Sequence, residues 1–497
     1  MDITIIPAPV SAVCTGGVFH CNGMPLLESA GEFEKEAALF REQTTGIFHG
    51  ADTKTRIVLT KIQPKKEVSV EAYKLVIGAG VITIEAASSC GAYRALQTLR
   101  QLLLSREQEG GIACALIEDH PRFPWRGFML DTSRYFYSVD FIKKILDVLS
   151  MHHINIFHWH LNDDQGWRLP VEAYPLLTEI GSRRQDYRRR NRVTGGFYTH
   201  DEITDIVAFA ASRHIEVVPE IDLPGHAGAI LAAYPGLGCT GGPYRVEDRF
   251  GIFDDVLCAG NDGIWDLASA VFDTVAELFP SKYVHIGGDE VRFVRWKACP
   301  KCRKRMKEYG ITAAGALQGR VTEGLVRMLA ERGRTAIGWD EVLENAGSVR
   351  LPEDLIVMSW RGQEGGNRAA GLGHRVIMTP SNAGCYLDYK HSGDPEEPGQ
   401  ISITTLEQSY GMNPVTSGMT DKPEAALILG GQGNLWSELI YAGKIAEYMI
   451  FPRICAIAET LWTPPEKKDL AGFKRRLAVH QTRLERLHVL YHRAVPI

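Results

Sequence analysis

Between Arg126 and Gly433 one pattern recurs eight times: a short apolar run, a turn rich in polar residues or glycine, and in several repeats an amphipathic helix. The runs are RGFMLD (126–131), INIFHWHL (154–161), IEVVPEID (215–222), YVHIGGDE (283–290), TAIGWDE (335–341), LIVMSW (355–360), RVIMTP (375–380) and ALILGGQG (426–433). Runs this short and this apolar suit strands covered on both faces, as in a parallel sheet. SVDFIKKILDVLSMHH offers Ser138 as an N-cap with Phe141, Ile142, Ile145 and Leu149 on one face, and THDEITDIVAFAASRH opens with a Thr199 to Glu202 capping box. Eight strands with intervening helices over about 350 residues predict a (β/α)8 TIM barrel, an α/β fold.

The segment ahead of the barrel reads differently. TRIVLTKI, YKLVIG and GVITIEAAS are short β-rich runs broken by glycine, followed by SCGAYRALQTLRQLLLS with Tyr93, Leu96, Leu99, Leu102 and Leu103 at helical spacing. The expected organisation is therefore a small N-terminal α+β accessory domain over 1–118, the barrel over 119–475 and a C-terminal helix over 476–497 packing on it, with the two prolines of IEDHPRFPWRG marking the first boundary. A net charge of -5 with 23% charged residues offers no basic surplus for nucleic acid or a membrane. The one dense basic run, RRQDYRRRNR at 183–192, is expected to be a solvated loop. MDITIIPAPVSAV lacks the basic and apolar regions of a leader peptide, which predicts a cytoplasmic protein, or a secreted or periplasmic one that has been trimmed. Ten scattered cysteines do not form a disulfide framework. Cys299-Pro-Lys-Cys302 has zinc-knuckle spacing without a second such pair nearby; it is read as plain thiols, with zinc or a local disulfide left open.

A barrel gathers its chemistry at the C-terminal ends of its strands. There the chain places Asp131 and Arg134, then His158, His160, Asn162, Asp163 and Asp164, then Glu220, Asp222 and His226, then the adjacent pair Asp289 and Glu290. Trp339 and Asp340, Trp360, Tyr386 and Asp388, and Asn434, Trp436 and Glu438 follow. Carboxylates and an arginine between tryptophans suit a polyhydroxylated ligand, because charged groups take hydroxyl pairs while aromatic faces cover apolar sugar faces. His158 and His160 share one strand face and are expected to be hydrogen-bonded groups of the barrel interior.

LDTSRYFYSVDFIKKILDVLSMHHINIFHWHLNDDQGWRL, PEIDLPGHA, HIGGDEV, IGWDE, MSW, GCYLDY and GNLWSE occur in this order over about 310 residues. Together they closely resemble the β-N-acetylhexosaminidases of glycoside hydrolase family 20, and YKLVI, GVITIEA and GAYRALQTLRQLL resemble the small domain preceding that family's barrel. The resemblance implies a retaining exo-glycosidase that releases terminal β-linked N-acetylglucosamine or N-acetylgalactosamine from an oligosaccharide or glycoconjugate, with no cofactor and no metal in the site. Its nucleophile would be the substrate's own 2-acetamido oxygen. It further implies that Glu290 is the general acid and base, and that an ionised Asp289 orients the acetamido group. Tyr386 would donate to the acetamido carbonyl. Arg134 and Glu438 would take ring hydroxyls and Asp388 a peripheral one. Trp339 and Trp360 would wall the acetamido methyl, Trp436 would stack beneath the ring, and Asp163 with His226 would form a relay toward Glu290. No tryptophan lies between Trp360 and Trp436, where some members carry a further rim aromatic.

Three rivals are weighed. A lacto-N-biosidase-like enzyme of the same family would need a wider pocket than the tryptophans suggest. A metal-dependent barrel hydrolase could use His158-Trp-His160, but strands 5, 6 and 8 supply no further histidine ligand. A noncatalytic sugar-binding protein would have no use for Glu290.

Overall fold

The computed structural model describes residues 3–495 apart from 30, 49, 65–67, 106–110, 190, 191 and 348. The first six strands are β1 (Ser11–Phe19), β2 (Met24–Ser29), β3 (Ala51–Lys61), β4 (Tyr73–Ile77), β5 (Val81–Ala86) and β6 (Ile112–Asp119), forming one mixed sheet in the order β1-β6-β4-β5-β3-β2. Alternation along β4 and β5 sends Leu75, Ile77, Ile82 and Ile84 to one face, where they meet Phe40, Leu96 and Leu99 from α1 (Glu34–Thr44) and α2 (Ser89–Leu104), with Phe33 just ahead of α1.

Helix α2 is buried on all sides from Gly91 to Leu104, although its sequence has polar positions facing away from the leucines. Those positions meet the barrel. Arg100 pairs with Asp147 at 2.7 Å, Gln101 donates to the Met151 carbonyl at 2.8 Å, and Tyr93 hydrogen bonds to Ser150 at 2.8 Å. Beside them, the Glu71 carboxylate accepts from Arg94 at 2.9 Å and from Arg126 at 2.5 Å, which ties the small sheet to the first barrel strand. Each buried polar group at this seam that finds a partner avoids the desolvation penalty of an unpaired one.

The barrel strands are β7 (Trp125–Asp131), β8 (Ile156–His160), β9 (Glu216–Glu220), β10 (Tyr283–His285), β11 (Thr335–Trp339), β12 (Ile356–Ser359), β13 (Val376–Met378) and β14 (Ile428–Leu435). All are parallel, and β14 pairs with β7 to close the ring. The strand period divides the core in two. Phe128, Leu130, Phe157, Trp159 and Val217 point outward to the surrounding helices, while Met129, Ile156, Val218, Ile337, Ile356, Met358 and Ile377 fill the interior. Ser138 caps α3 (Val139–Met151), and Thr199 with Glu202 forms a capping box on α4 (His200–Ala211).

Two expectations are corrected. The basic run at 183–192 is a hairpin, with Arg183–Asp186 paired to Arg192–Gly195; Arg190 and Asn191 lie outside the described residues. The C-terminal helix spans Leu470–Arg486 rather than 476–497, of which 496 and 497 lie outside the described residues. It starts at Asp469, whose side chain accepts from the Ala471 N–H, and it sends Phe473, Leu477 and Leu484 into the outer barrel core. No helix among the described residues is long and apolar enough to cross a membrane.

Candidate active site

YVHIGGDE does not run as a strand to residue 290. β10 stops at His285, and the backbone turns left-handed at Gly287 (φ 65°), Gly288 (φ 93°) and Glu290 (φ 51°). A Cβ at Gly287 would lie 1.8 Å from Asp222 Oδ1, the same oxygen that accepts from the Gly288 N–H at 3.0 Å. Only glycine fits this approach at this φ. The coil it permits lets two sequence neighbours face one cavity, which an extended strand would forbid. Glu290 itself carries a backbone conformation that costs a non-glycine residue about 1–2 kcal/mol.

The cavity occupies about 250 Å³ at the C-terminal mouth of the barrel and is lined by Arg134, Asp289, Glu290, Trp339, Trp360, Tyr386, Asp388, Trp436 and Glu438, nine of the eleven expected site residues. Aromatic groups form its walls: the Trp360 and Tyr386 rings are stacked 6.1 Å apart, and Trp339 lies 5.9 Å from Trp436. Each wall is held from behind, the Trp339 indole N–H donating to Glu220 and the Trp360 N–H to Glu341, both at 2.9 Å. Arg134 is fixed by Asp163 at 2.8 Å, by Gln165 at 3.0 Å and by Asp131 at 3.3 Å, with its guanidinium carbon 5.0 Å from the centre of the Trp436 ring.

Several carboxylates lining this cavity carry an oxygen without a protein partner. Asp289 Oδ1, Asp388 Oδ1 and Glu438 Oε2 are buried without a hydrogen bond. Burial pushes the Asp289 carboxyl well above the usual range, with the Asp222 charge adding to it and His226 opposing. Burial likewise raises Asp388, then the charge of Glu438. It raises Glu438 against the pull of Arg134, Asp222 to about 7, and Glu341 to about 9 with the Asp289 charge next. The cavity is therefore a buried acidic site that disfavours its own ionisation when empty and is suited to developing positive charge. Burial and the Asp222 charge thus work against the ionised Asp289 that the family resemblance implies.

Asp163 and His226 stand behind the cavity. His226 Nδ1 lies 3.1 Å from Asp163 Oδ1 and 3.2 Å from Asp164 Oδ2, while its Nε2 lies 3.5 Å from Glu290 Oε2 and 3.6 Å from Asp289 Oδ2. Its burial is outweighed by the surrounding acids, Asp163 first, so the imidazole is held protonated well above its usual range. Below it, Glu220 Oε2 meets His158 at 3.0 Å and His160 at 2.5 Å, and Oε1 meets His285 at 3.0 Å. His160 reaches Asp163 at 3.0 Å in turn. These contacts make His158 and His160 the hydrogen-bonded interior groups that their shared face suggested.

The rim carries what sequence reasoning missed: Tyr389, Gln400, Ile401 and Ser402 also line the cavity, with Ile401 91% exposed at its mouth. The Gln400 N–H donates to the Asp388 carbonyl at 2.7 Å, so this strand returns to the site from outside the eightfold pattern. Glu341, next to the noticed Asp340, was also missed; the acid after a strand-end Trp-Asp was its only signal.

Residues 123–465 match the catalytic domain of glycosyl hydrolase family 20, and residues 2–120 match that family's domain 2. The chain is 42% identical over 443 residues to a beta-hexosaminidase of Porphyromonas gingivalis, covering 87% of this chain and 56% of that protein. It is 34% identical to a beta-hexosaminidase of Akkermansia muciniphila, covering 86% and 87%. The crystal structure of an exo beta-N-acetylglucosaminidase from Vibrio harveyi, in complex with N-acetylglucosamine, superposes with a TM-score of 0.89 at 32% identity, covering 98% of this chain and 78% of that one.

Proposed function

The chain belongs to glycosyl hydrolase family 20, and we propose that it is a retaining exo-β-N-acetylhexosaminidase acting on terminal β-linked N-acetylglucosamine or N-acetylgalactosamine through substrate-assisted catalysis. One observation carries the reading: Asp289, Asp388 and Glu438, each with a buried carboxylate oxygen that has no hydrogen-bond partner, line with Arg134 a cavity walled by three tryptophans and a tyrosine. Such groups are costly to bury and become paired when a polyhydroxylated ring enters. The cavity's size and aromatic walls suit one amino sugar.

In the reaction, Arg134, Glu438 and Asp388 bind ring hydroxyls and Trp436 stacks beneath the ring. Tyr386 donates to the acetamido carbonyl oxygen and Asp289 accepts from the acetamido N–H, so that the carbonyl oxygen lies under the anomeric carbon. That oxygen attacks, the glycosidic bond breaks, and Glu290 gives its proton to the leaving oxygen. Holding a tethered nucleophile in place removes much of the entropic barrier. Positive charge develops on the oxazolinium ring between Trp339 and Trp360, where the Asp289 carboxylate, accepting from the ring N–H, stabilises it. The His226 cation, 3.5 Å from Glu290, stabilises the carboxylate left after proton transfer. Water then attacks the anomeric carbon and loses its proton to Glu290, restoring the acetamide with net retention.

A panel of aryl β-glycosides of N-acetylglucosamine, N-acetylgalactosamine, lacto-N-biose and glucose tests this. The first two are expected to turn over, with the β-anomer as first product, and the glucoside to lag by at least about 10³-fold because it brings no nucleophile. Comparable turnover of the glucoside would overturn substrate assistance, and preference for the lacto-N-bioside would overturn the single-sugar specificity.

A further inference from the structure

Cys299-Pro-Lys-Cys302 lacks a partner pair in sequence, but the fold supplies one. Cys239 follows the turn at Pro235–Leu237 in the segment after β9, and Cys258 precedes the helix Gly263–Leu278; an isolated bridge between Gly238 and Leu257 holds these two segments side by side. Cys299 is the N-cap of the helix Pro300–Glu308, and Cys302 lies in its first turn. The sulfurs of Cys239 and Cys302 are 3.8 Å apart, those of Cys258 and Cys299 3.7 Å, and those of Cys258 and Cys302 3.6 Å; all four lie within 4.8 Å of one another. Disulfide-bonded sulfurs would be about 2.05 Å apart. Four sulfurs at about 2.3 Å from a tetrahedral zinc ion are separated by about 3.8 Å.

We propose that Cys239, Cys258, Cys299 and Cys302 form a tetrahedral structural zinc site that clamps the β9 and β10 loops together behind the catalytic mouth. Cys258 and Cys302 are fully buried, Cys299 is 5% exposed and Cys239 is half-buried. Gly260 permits the close approach: a Cβ there would lie 2.2 Å from the Lys301 carbonyl carbon, and its N–H hydrogen bonds to the sulfurs of Cys258 and Cys302. Amide donors to sulfur orient and temper thiolate ligands. Binding converts four thiols to thiolates, releases four protons and leaves a net charge of about -2 on the metal centre. The surrounding run KACPKCRKR, with Lys297, Lys301, Arg303, Lys304 and Arg305, offsets that charge.

The clamp acts on the site through the chain. Only nine positions separate Glu290 from Cys299, and Trp296 between them donates to the Leu257 carbonyl at 2.8 Å. The Leu257 N–H donates to the Pro224 carbonyl at 3.0 Å, two residues before His226. Glu290 and His226 thus sit on the two loops that the four cysteines join. The cysteines are positioning residues that touch no substrate, and their metal content is independent of which glycoside the protein cleaves.

Elemental analysis of the full chain, purified under reducing conditions, is expected to find about one zinc per chain. Titration with an organomercurial should release it to a chromogenic indicator as four thiols react. Cys239→Ser and Cys302→Ser should each cut the zinc to below about a tenth of an equivalent, while Cys14→Ser in the small domain retains it. Chain prepared with cobalt should show the thiolate charge-transfer and visible bands of a four-sulfur tetrahedral centre. If the serine variants fail to fold, the wild-type stoichiometry and the cobalt spectrum decide. Metal-free wild type with freely titrating thiols, a mapped Cys239–Cys302 or Cys258–Cys299 disulfide, or one equivalent of iron in place of zinc would each overturn the assignment.

Discussion

Glu71 at the domain seam and Asp289 at the barrel mouth are buried alike, with side-chain exposures of 11% and 10%, yet their environments drive them in opposite directions. At Glu71 burial raises the pKa, but Arg126 and Arg94 outweigh it and pull the carboxyl down to about 2. At Asp289 burial and the Asp222 charge win, because the nearest cation is His226 at 3.6 Å and one carboxylate oxygen has no partner. Equal desolvation therefore does not fix a buried acid's state; the completeness of its pairing does. A fully paired acid holds structure together, and an incompletely paired one is held ready for a partner that arrives.

Substitutions at these sites sharpen the contrast. The largest effect is expected at Glu290→Gln, which should lower kcat/KM on glycosides with poor leaving groups by about 10³–10⁴-fold while sparing much of the first step for a nitrophenyl leaving group. Equal loss on both substrates would remove Glu290 from the acid role. Asp289→Asn should lower kcat by about 10²–10³-fold while the melting temperature holds, since an amide replaces a carboxyl whose ionisation the folded site already disfavours. A large drop in melting temperature would make Asp289 an acid of the Glu71 kind.

Glu71→Gln should do the reverse, leaving kcat/KM within about twofold and costing about 3 kcal/mol of stability by leaving Arg94 and Arg126 short of a counter-charge. The pH dependence follows from the direction of its shift. A carboxyl held at about 2, against 4.5 as its ordinary value, contributes stability that is fully present above pH 4.5 and disappears as the pH falls through about 2. That loss should amount to about 3 kcal/mol in denaturant titrations of the parent, and the variant should show a correspondingly flatter acid limb. Parallel limbs would mean that the seam pairing does not contribute.

The barrel was legible because all eight of its strands are apolar runs ended by turn chemistry, and the caps at Ser138 and Thr199 mark helix starts at close range. The place of the cavity was legible because barrel topology puts sites at strand ends, where Arg134, Asp289 and Glu438 stand. The remainder depends on contacts between distant segments. HIGGDE was read through as strand because its Gly-Gly could not be seen packing against Asp222, 65 positions before Gly287. Periodicity marked the leucine face of α2, but its opposite face is buried as well, since Arg94, Arg100 and Gln101 find His214, Asp147 and Met151 on another domain. The rim at Gln400–Ser402 follows no repeat, and Cys239 and Cys258 lie too far from Cys299 for any local spacing to join them.

The raised Asp289 has a consequence for what the cavity prefers to hold. An acid whose ionisation the empty site disfavours gives up its proton to the solvent more readily as a cation enters. Filling the site is then an exchange between ligand charge and solvent acidity. A neutral sugar makes no such exchange, whereas a cationic ring gains grip as the solution grows more basic. The pocket thus responds to electric charge separately from molecular shape.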